Sequence, residues 1–316
     1  MGDVMPFLEN VVRGKRVPHE RLIEVSRHYE QFGGVSPINA QNRALIAALK
    51  EEFSANGPNL PVYWGNRNWH PMLVDTLRKM RDDGVERALA FLTFAHSCYS
   101  SCRQYLEDIE RARKTVGPGA PEVDRIRFFY NHPGFIEPNI ENLRAALEQW
   151  PLEQHNNVHI AFVTHSLPLS MADASDYLAQ LTETCRLIAE GCNHSNWKLV
   201  FQSRSGPPHQ PWLEPDICDH LEHLHANKIK DVVVMPVGFI SDHMEVAFDL
   251  DIEAAQKADD LGIKMVRAAT VGTHPTFVKM IRELILERMT NSPDRRYLGN
   301  LGPHHDVCPA DCCLRE

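Results

Sequence analysis

No stretch of the sequence reaches the roughly eighteen consecutive apolar residues a membrane-spanning helix needs, and no charged-then-apolar secretory leader opens it. A water-soluble, cytosolic protein is therefore expected. Neither G-x-G-x-x-G nor G-x-x-x-x-G-K-S/T occurs, and the Gly65-Asn66-Arg67 turn substitutes for neither. Dinucleotide and nucleoside triphosphate binding lose their main support. Positive charge is in deficit, with 33 basic against 42 acidic residues and a net charge of −9. Nucleic acid and anionic membrane surfaces are excluded as principal partners. Cysteine is too thin for a disulfide framework, with eight in 316 residues, and a reducing cytosol keeps them as thiols. The sequence specifies no oligomeric state.

What is present is a regular alternation of apolar strands and amphipathic helices. A helix over 19–32 stops at Gly33-Gly34, and Ser36-Pro37 leads into another around 41–53. Strands are expected over 60–64, 86–94 and 124–130, each followed by a helix (71–83, 102–115, 137–149). After a composition break at Pro151 to Asn157 the theme repeats, with strands over 158–164, 197–203, 231–239 and 264–270. Their helices fall at 174–191, 214–226 and 275–289. Such alternation implies parallel sheets wrapped by helices, hence two doubly wound α/β domains, 1–150 and 151–274, followed by a Cys-rich extension over 290–316. The final helix is expected to return to the first domain. Ligands of such folds bind beyond the carboxyl ends of strands, where THSLP, QSRSGPPHQPWL and GFISDH all fall.

Three features carry chemistry. In VMPVGFISDHMEVAFDLDIE (234–253), Glu245, Asp249 and Glu253 recur every four residues, so a helix or a strand would put all three on one side. Such a row is relieved by protons or by a cation. The plainer reading makes Asp242 a helix cap and Glu245 the partner that completes its capping box. His165 and His243 each follow a strand, where an imidazole can accept a proton near neutral pH or ligate a transition metal. Trp212, with Trp69 and Tyr63, offers flat apolar surface for a flat ligand, core packing being the ordinary alternative. In the tail, Cys308, Cys312 and Cys313 give three thiols within six residues, one short of the four that zinc or an iron–sulfur cluster requires.

The segments FVTHSLP, FQSRSGPPHQPWLEP and VMPVGFISDHMEVAFDLDIE resemble the signature loops of ferrochelatases, which insert ferrous iron into a porphyrin. GGVSPIN, VYWGNRNWHP and SSCRQYLEDI are similar to their first domain, in a form like that of the actinobacterial branch. The resemblance spans the chain and implies a chelatase-type pair of Rossmann-like domains. By it, His165 is the active-site histidine and Glu245 its catalytic partner. The substrate metal would meet His165, Glu245, Asp249, Glu253 and His243. The porphyrin would meet Trp212 and Ser36, with Arg13, Arg16 or Arg43 on its propionates. Some members hold a two-iron two-sulfur cluster on three C-terminal cysteines and an internal one. Cys308, Cys312 and Cys313 resemble that trio, and the internal position reads Pro138 here, which leaves Cys102 as first choice for the fourth. Members open with an apolar strand and a Gly-rich loop that this sequence does not include, so the first domain is expected to lack its N-terminal strand. Coproporphyrin or protoporphyrin is the implied substrate. A non-catalytic tetrapyrrole- or metal-binding protein with a degenerate pocket is the alternative, and a cobalt chelatase of similar fold a further one.

Overall fold

The structure is a computed structural model that describes residues 2–14, 17–207, 209–309 and 312–314. It opens with helices α1 (Val4–Val11), α2 (His19–Gln31), α3 (Ile38–Asn56) and α4 (Leu73–Asp82). Then follow strand β1 (Arg87–Ala90), a π-helical turn (Tyr99–Arg103), α5 (Gln104–Val116), β2 (Glu122–Arg125) and α6 (Pro133–Leu147). The second half runs β3 (His159–His165), α7 (Leu169–Asp173), α8 (Tyr177–Gly191), β4 (Trp197–Gln202), α9 (Ile217–Ala226) and β5 (Asp231–Met235). A π-helix (Val246–Ala254), α10 (Ala255–Asp260), β6 (Lys264–Arg267) and α11 (Pro275–Thr290) complete it.

The second sheet is fully parallel in the order β4-β3-β5-β6. Its central strands read as unbroken apolar runs because both faces are covered, as β3 shows with every residue but His165 buried. Both α6 and α11 start on a His-Pro pair: proline fits the first helical position, and the preceding ring (His132, His274) accepts a backbone N–H two residues on. Asp216 caps α9 by accepting from the Cys218 N–H at 2.8 Å.

The first sheet has two strands, β1 parallel to β2. The strand expected over 60–64 does not form. Val62 and Tyr63 still point into different apolar clusters, the side alternation of a strand, but a ladder needs a neighbour about 4.8 Å away. No described residue takes that place. The expected strands over 86–94 and 124–130 likewise come down to four residues each, the second starting two residues early, and the helix expected over 174–191 forms as α8, preceded by the short extra helix α7.

One hydrophobic cluster crosses both sheets. It joins Leu45 and Phe53 of α3, Phe135 and Leu143 of α6, Phe162 of β3, Leu181 of α8 and Phe277 of α11. Helix α11 packs on α3 and α6, so the end of the second half is seated on the first.

Candidate active site

His165 is the last residue of β3, and its position follows from the buried strand behind it. Tyr177 fixes that strand end: its hydroxyl donates to the His165 carbonyl at 3.0 Å and meets the Thr164 hydroxyl at 2.7 Å. Nδ1 of His165 lies 2.5 Å from the Ser166 carbonyl. A carbonyl only accepts, so the proton is assigned to Nδ1 and Nε2 is left with its lone pair free. That nitrogen is 3.8 Å from Oε2 of Glu245. Glu245 Oε2 is also 3.9 Å from Nδ1 of His243, and the Glu245 N–H donates to the same nitrogen at 3.2 Å. His243, not Asp242, therefore caps this segment. Burial holds the His243 ring below its usual pKa, with Glu245 pulling the other way. It is biased neutral, with Nδ1 as acceptor.

Asp242 leaves the acidic row. Its carboxylate pairs with Arg267 at 3.1 Å and accepts from Thr270. Its backbone N–H and carbonyl both bond the Gln41 amide, at 2.8 and 2.9 Å. Asp251 also pairs with Arg267. Arg267 thus pairs the two acids that neighbour the file, Asp242 and Asp251, apart from Glu245, Asp249 and Glu253.

Neither the α-helical nor the strand reading of that file is met. The segment is a π-helix, whose i→i+5 bonds widen the turn, and a four-residue step stays close to one full turn in either helix. Asp249 is raised to about 7, chiefly by burial, with Glu245 and Glu253 adding repulsion and a bond from Ser203 opposing it. Gln202 bridges the Glu245 carbonyl and the Asp249 carboxylate at 3.3 Å each. Ser203 donates to Asp249 from a backbone at φ 60, a left-handed conformation uncommon outside glycine. Glu253 is raised by burial and then by Asp216. Gln202 and Ser203 are site residues that the sequence reading does not single out, although their place at the end of β4, Gln202 its last residue and Ser203 the next, is a readable signal.

Trp212 is brought beside the histidine loop: Leu169 and Leu213 exchange backbone bonds with Pro211 and Leu167 across Pro168 and Trp212. Its indole lies so close to Gly206 that a Cβ there would sit 2.2 Å from Nε1. Ser36 lines a cavity of about 400 Å³ with Phe32, Arg43, Asp242 and Asp251, a wall that includes neither His165 nor Trp212. Arg13 is exposed at the end of α1, bonded to Asn10. Arg16 lies outside the described residues. Trp69 meets Phe7 edge-on and Tyr63 donates to Asp83, so both are engaged in packing.

Beside Arg125, the last residue of β2, the four expected sulfurs meet. Cys102 Sγ is 3.5 Å from Cys308 Sγ, and Cys312 Sγ 3.6 Å from Cys313 Sγ. Arg125, almost fully buried, donates to Cys308 Sγ at 3.1 Å and to the His305 carbonyl at 3.1 Å. Among the described residues it has no carboxylate partner.

This arrangement of sheets is shared with solved chelatases. SirB from Bacillus subtilis with Fe3+ aligns at a TM-score of 0.54 and 15% identity, over 80% of this chain and 92% of that one. The sirohydrochlorin chelatase SirB from Bacillus subtilis subspecies spizizenii in complex with cobalt aligns at 0.51 and 12%, over 79% and 89%. The fold is thus of the chelatase type. A family model described as Ferrochelatase matches residues 1–289. The chain is 56% identical over 313 residues to a Ferrochelatase of Rhodopirellula baltica, covering 99% of this chain and 89% of that protein. Against the Coproporphyrin III ferrochelatases of Streptomyces coelicolor and Nocardia farcinica it is 49% and 48% identical, covering 98% and 99% of this chain and 89% and 93% of theirs. The chain belongs to the ferrochelatase family and is a metal chelatase of the lyase class.

Proposed function

We propose that this chain inserts Fe2+ into coproporphyrin III, with His165 and Glu245 as its catalytic pair, in a molecule of two lobes (1–150 and 151–274) and a Cys-rich extension (290–316). The single observation that carries the catalytic reading is how the His165 ring is held: Nδ1 lies against the Ser166 carbonyl, and Nε2 faces a carboxylate 3.8 Å away. The reaction removes two protons from pyrrole nitrogens as the ring takes up the cation. A neutral Nε2 accepts a proton from a pyrrole N–H, and Glu245 stabilises the imidazolium that results. Asp249, with a proton affinity set close to neutral, suits the next position in a relay, and Glu253 the one after. His243 stands by Glu245 and would ligate the incoming metal only by giving up its bond from the Glu245 N–H or its Nε2 proton, while Trp212 offers a flat face to the macrocycle. Contacts of Ser36, Arg13 and Arg43 with its edge and propionates rest on the family resemblance alone, since Ser36 and Arg43 line a cavity apart from His165 and Trp212. The choice of coproporphyrin rests on the relatives' names.

The four sulfurs fit a two-iron two-sulfur cluster held by Cys102, Cys308, Cys312 and Cys313. A bond with Cys102 and then burial push the Cys308 thiol up to about 12, while Cys102, lowered by its bond with Cys308 but raised more by Cys313 and burial, stands at about 11, so these sulfurs are poor anions without a cation between them. Arg125 is a buried cation whose sulfur contact gains a negative partner once they ionise. A cluster there supplies a one-electron redox centre. All eight cysteines are free thiols, in keeping with a cytoplasmic setting, and among the described residues no helix is long and apolar enough to cross a membrane.

The test is His165→Ala in an anaerobic insertion assay alongside porphyrin fluorescence. Insertion should be abolished while porphyrin still binds; a variant that inserts iron at the full rate overturns the assignment.

A further inference from the structure

The segment that carries His243 and Glu245 is tied to the first half of the chain by the side chain of Gln41, near the start of α3. Its Nε2 donates to the Asp242 carbonyl at 2.9 Å, and its Oε1 accepts from the Asp242 N–H at 2.8 Å. The carbonyl needs a donor and the N–H an acceptor, so a carboxamide in this one orientation meets both. The amide thereby makes the paired bonds a strand neighbour would make, from 201 residues away in sequence. Asp242 is fixed independently from its other side, where Arg267 of β6 and Thr270 hold its carboxylate. His243 follows directly; its ring stands edge-on to Phe239 at 4.8 Å, and its carbonyl accepts from the Ala247 N–H at 3.0 Å. Glu245, two residues on, faces His165. Around the Gln41 bonds, Ser36, Ala40 and Arg43 on one side and Ala247 and Asp251 on the other line a cavity of about 400 Å³. Packing at this seam leaves the loop room to shift, and a displacement of about 1 Å at a reacting centre can cost roughly a hundredfold in rate.

We propose that Gln41 is a positioning residue for metal insertion: its carboxamide holds the Asp242 backbone so that His243 and Glu245 stand opposite His165. This rests on the roles given above to His165 and Glu245, and it adds a residue from a helix that carries neither. Both bonds are needed. A carboxylate at this position keeps an acceptor for the Asp242 N–H, loses the donor, and sets negative charge against the Asp242 carbonyl. The protonated acid restores both bonds, its O–H donating to that carbonyl. A thioether of the same length makes neither.

Two variants of the full chain test this in the anaerobic insertion assay. Gln41→Met should lower kcat by about tenfold to a hundredfold, while the porphyrin Kd from fluorescence stays within about twofold of wild type. Hydrogen exchange around Asp242 should quicken in it while β3 and β5 stay protected, which shows that the fold is kept. Gln41→Glu should be slow at about pH 8 and regain rate relative to wild type as pH falls towards about 5.5, because the carbonyl beside its carboxylate favours the protonated form. That rescue is read on one folded sample. A side chain with only a structural role would lower the urea midpoint but leave kcat per folded molecule unchanged and give no recovery on acidification. Wild-type kcat in Gln41→Met, or a ratio of Gln41→Glu to wild type that does not rise as pH falls, overturns the proposal. The underlying assignment fails on a different result: Glu245→Ala inserting iron at the full rate.

Discussion

At the scale of single residues, the site is set by which hydrogens are already committed. His165 gives one N–H to a carbonyl and keeps one lone pair; His243 spends its Nδ1 lone pair on the Glu245 backbone. Asp249 is the group whose charge state is balanced near neutral, because burial and two acidic neighbours oppose its ionisation. Its pKa is raised in the folded state, so the folded chain holds a proton between about 4 and 7 that the unfolded chain gives up. The favourable contribution is full below the unfolded pKa and is lost as pH rises through the folded one. Asp249→Asn, which keeps an acceptor for Ser203 but never ionises, should therefore be more stable than wild type at about pH 8 and show no such advantage at about pH 4. Urea unfolding at the two pH values checks this. The same variant should flatten the limb of the insertion rate that titrates near 7.

At the scale of elements, the strand ends carry the site and the packing behind them sets its precision. Gly238 lies directly behind β3: its N–H bonds the Val163 carbonyl, and a Cβ there would sit 2.0 Å from Thr164 Oγ1 and 2.7 Å from Thr164 Cβ. Gly238→Ala must push the chain after β5 off β3, displacing Thr164 and the His165 carbonyl that Tyr177 holds. A loss of about 1–3 kcal/mol is expected from chemical denaturation, together with a lower insertion rate. The parallel second sheet was legible because its strands are buried on both faces and flanked by helix signals. The His165, Glu245 and Trp212 loops were legible because they sit at those strand ends. The π-helix was not legible, since the four-residue spacing of Glu245, Asp249 and Glu253 suits both an α and a π turn, and the alternating Val246, Phe248, Leu250 mimics a strand. Nor was the role of Arg267, twenty-five residues from Asp242, which decides by ion pairing alone which acids join the row. The segment 60–64 carries strand residues, and whether they pair depends on a neighbour that local pattern does not specify. The meeting of Cys102 with the tail is a contact over 206 residues, which spacing could suggest only through the count of ligands.

At the scale of the whole molecule, one core and one buried ion pair bind the two halves. Because Phe53, Phe135, Phe162, Leu181 and Phe277 belong to a single apolar cluster, neither half can open without exposing the other. Unfolding in denaturant is thus expected to be one transition, with fluorescence and circular dichroism coinciding. Arg127 shows how the end of the chain is secured to the first half. Its side chain is fully buried, it donates twice to Glu287 of α11 at 2.6 and 2.9 Å, and it donates to the Arg296 carbonyl at 2.9 Å, leaving one buried nitrogen without a partner. A paired, buried guanidinium contributes little over an apolar pair of similar size, because desolvation offsets the attraction; an unpaired one is expensive. Glu287→Met or Arg127→Met alone should accordingly lower stability, the former by about 3–5 kcal/mol with release of the segment after α11, whereas the double variant Arg127→Met with Glu287→Met should recover most of the loss. A double-mutant cycle in urea measures both. Two losses that simply add would show that α11 is held by the apolar cluster alone and that this pair only fixes its register against the first lobe.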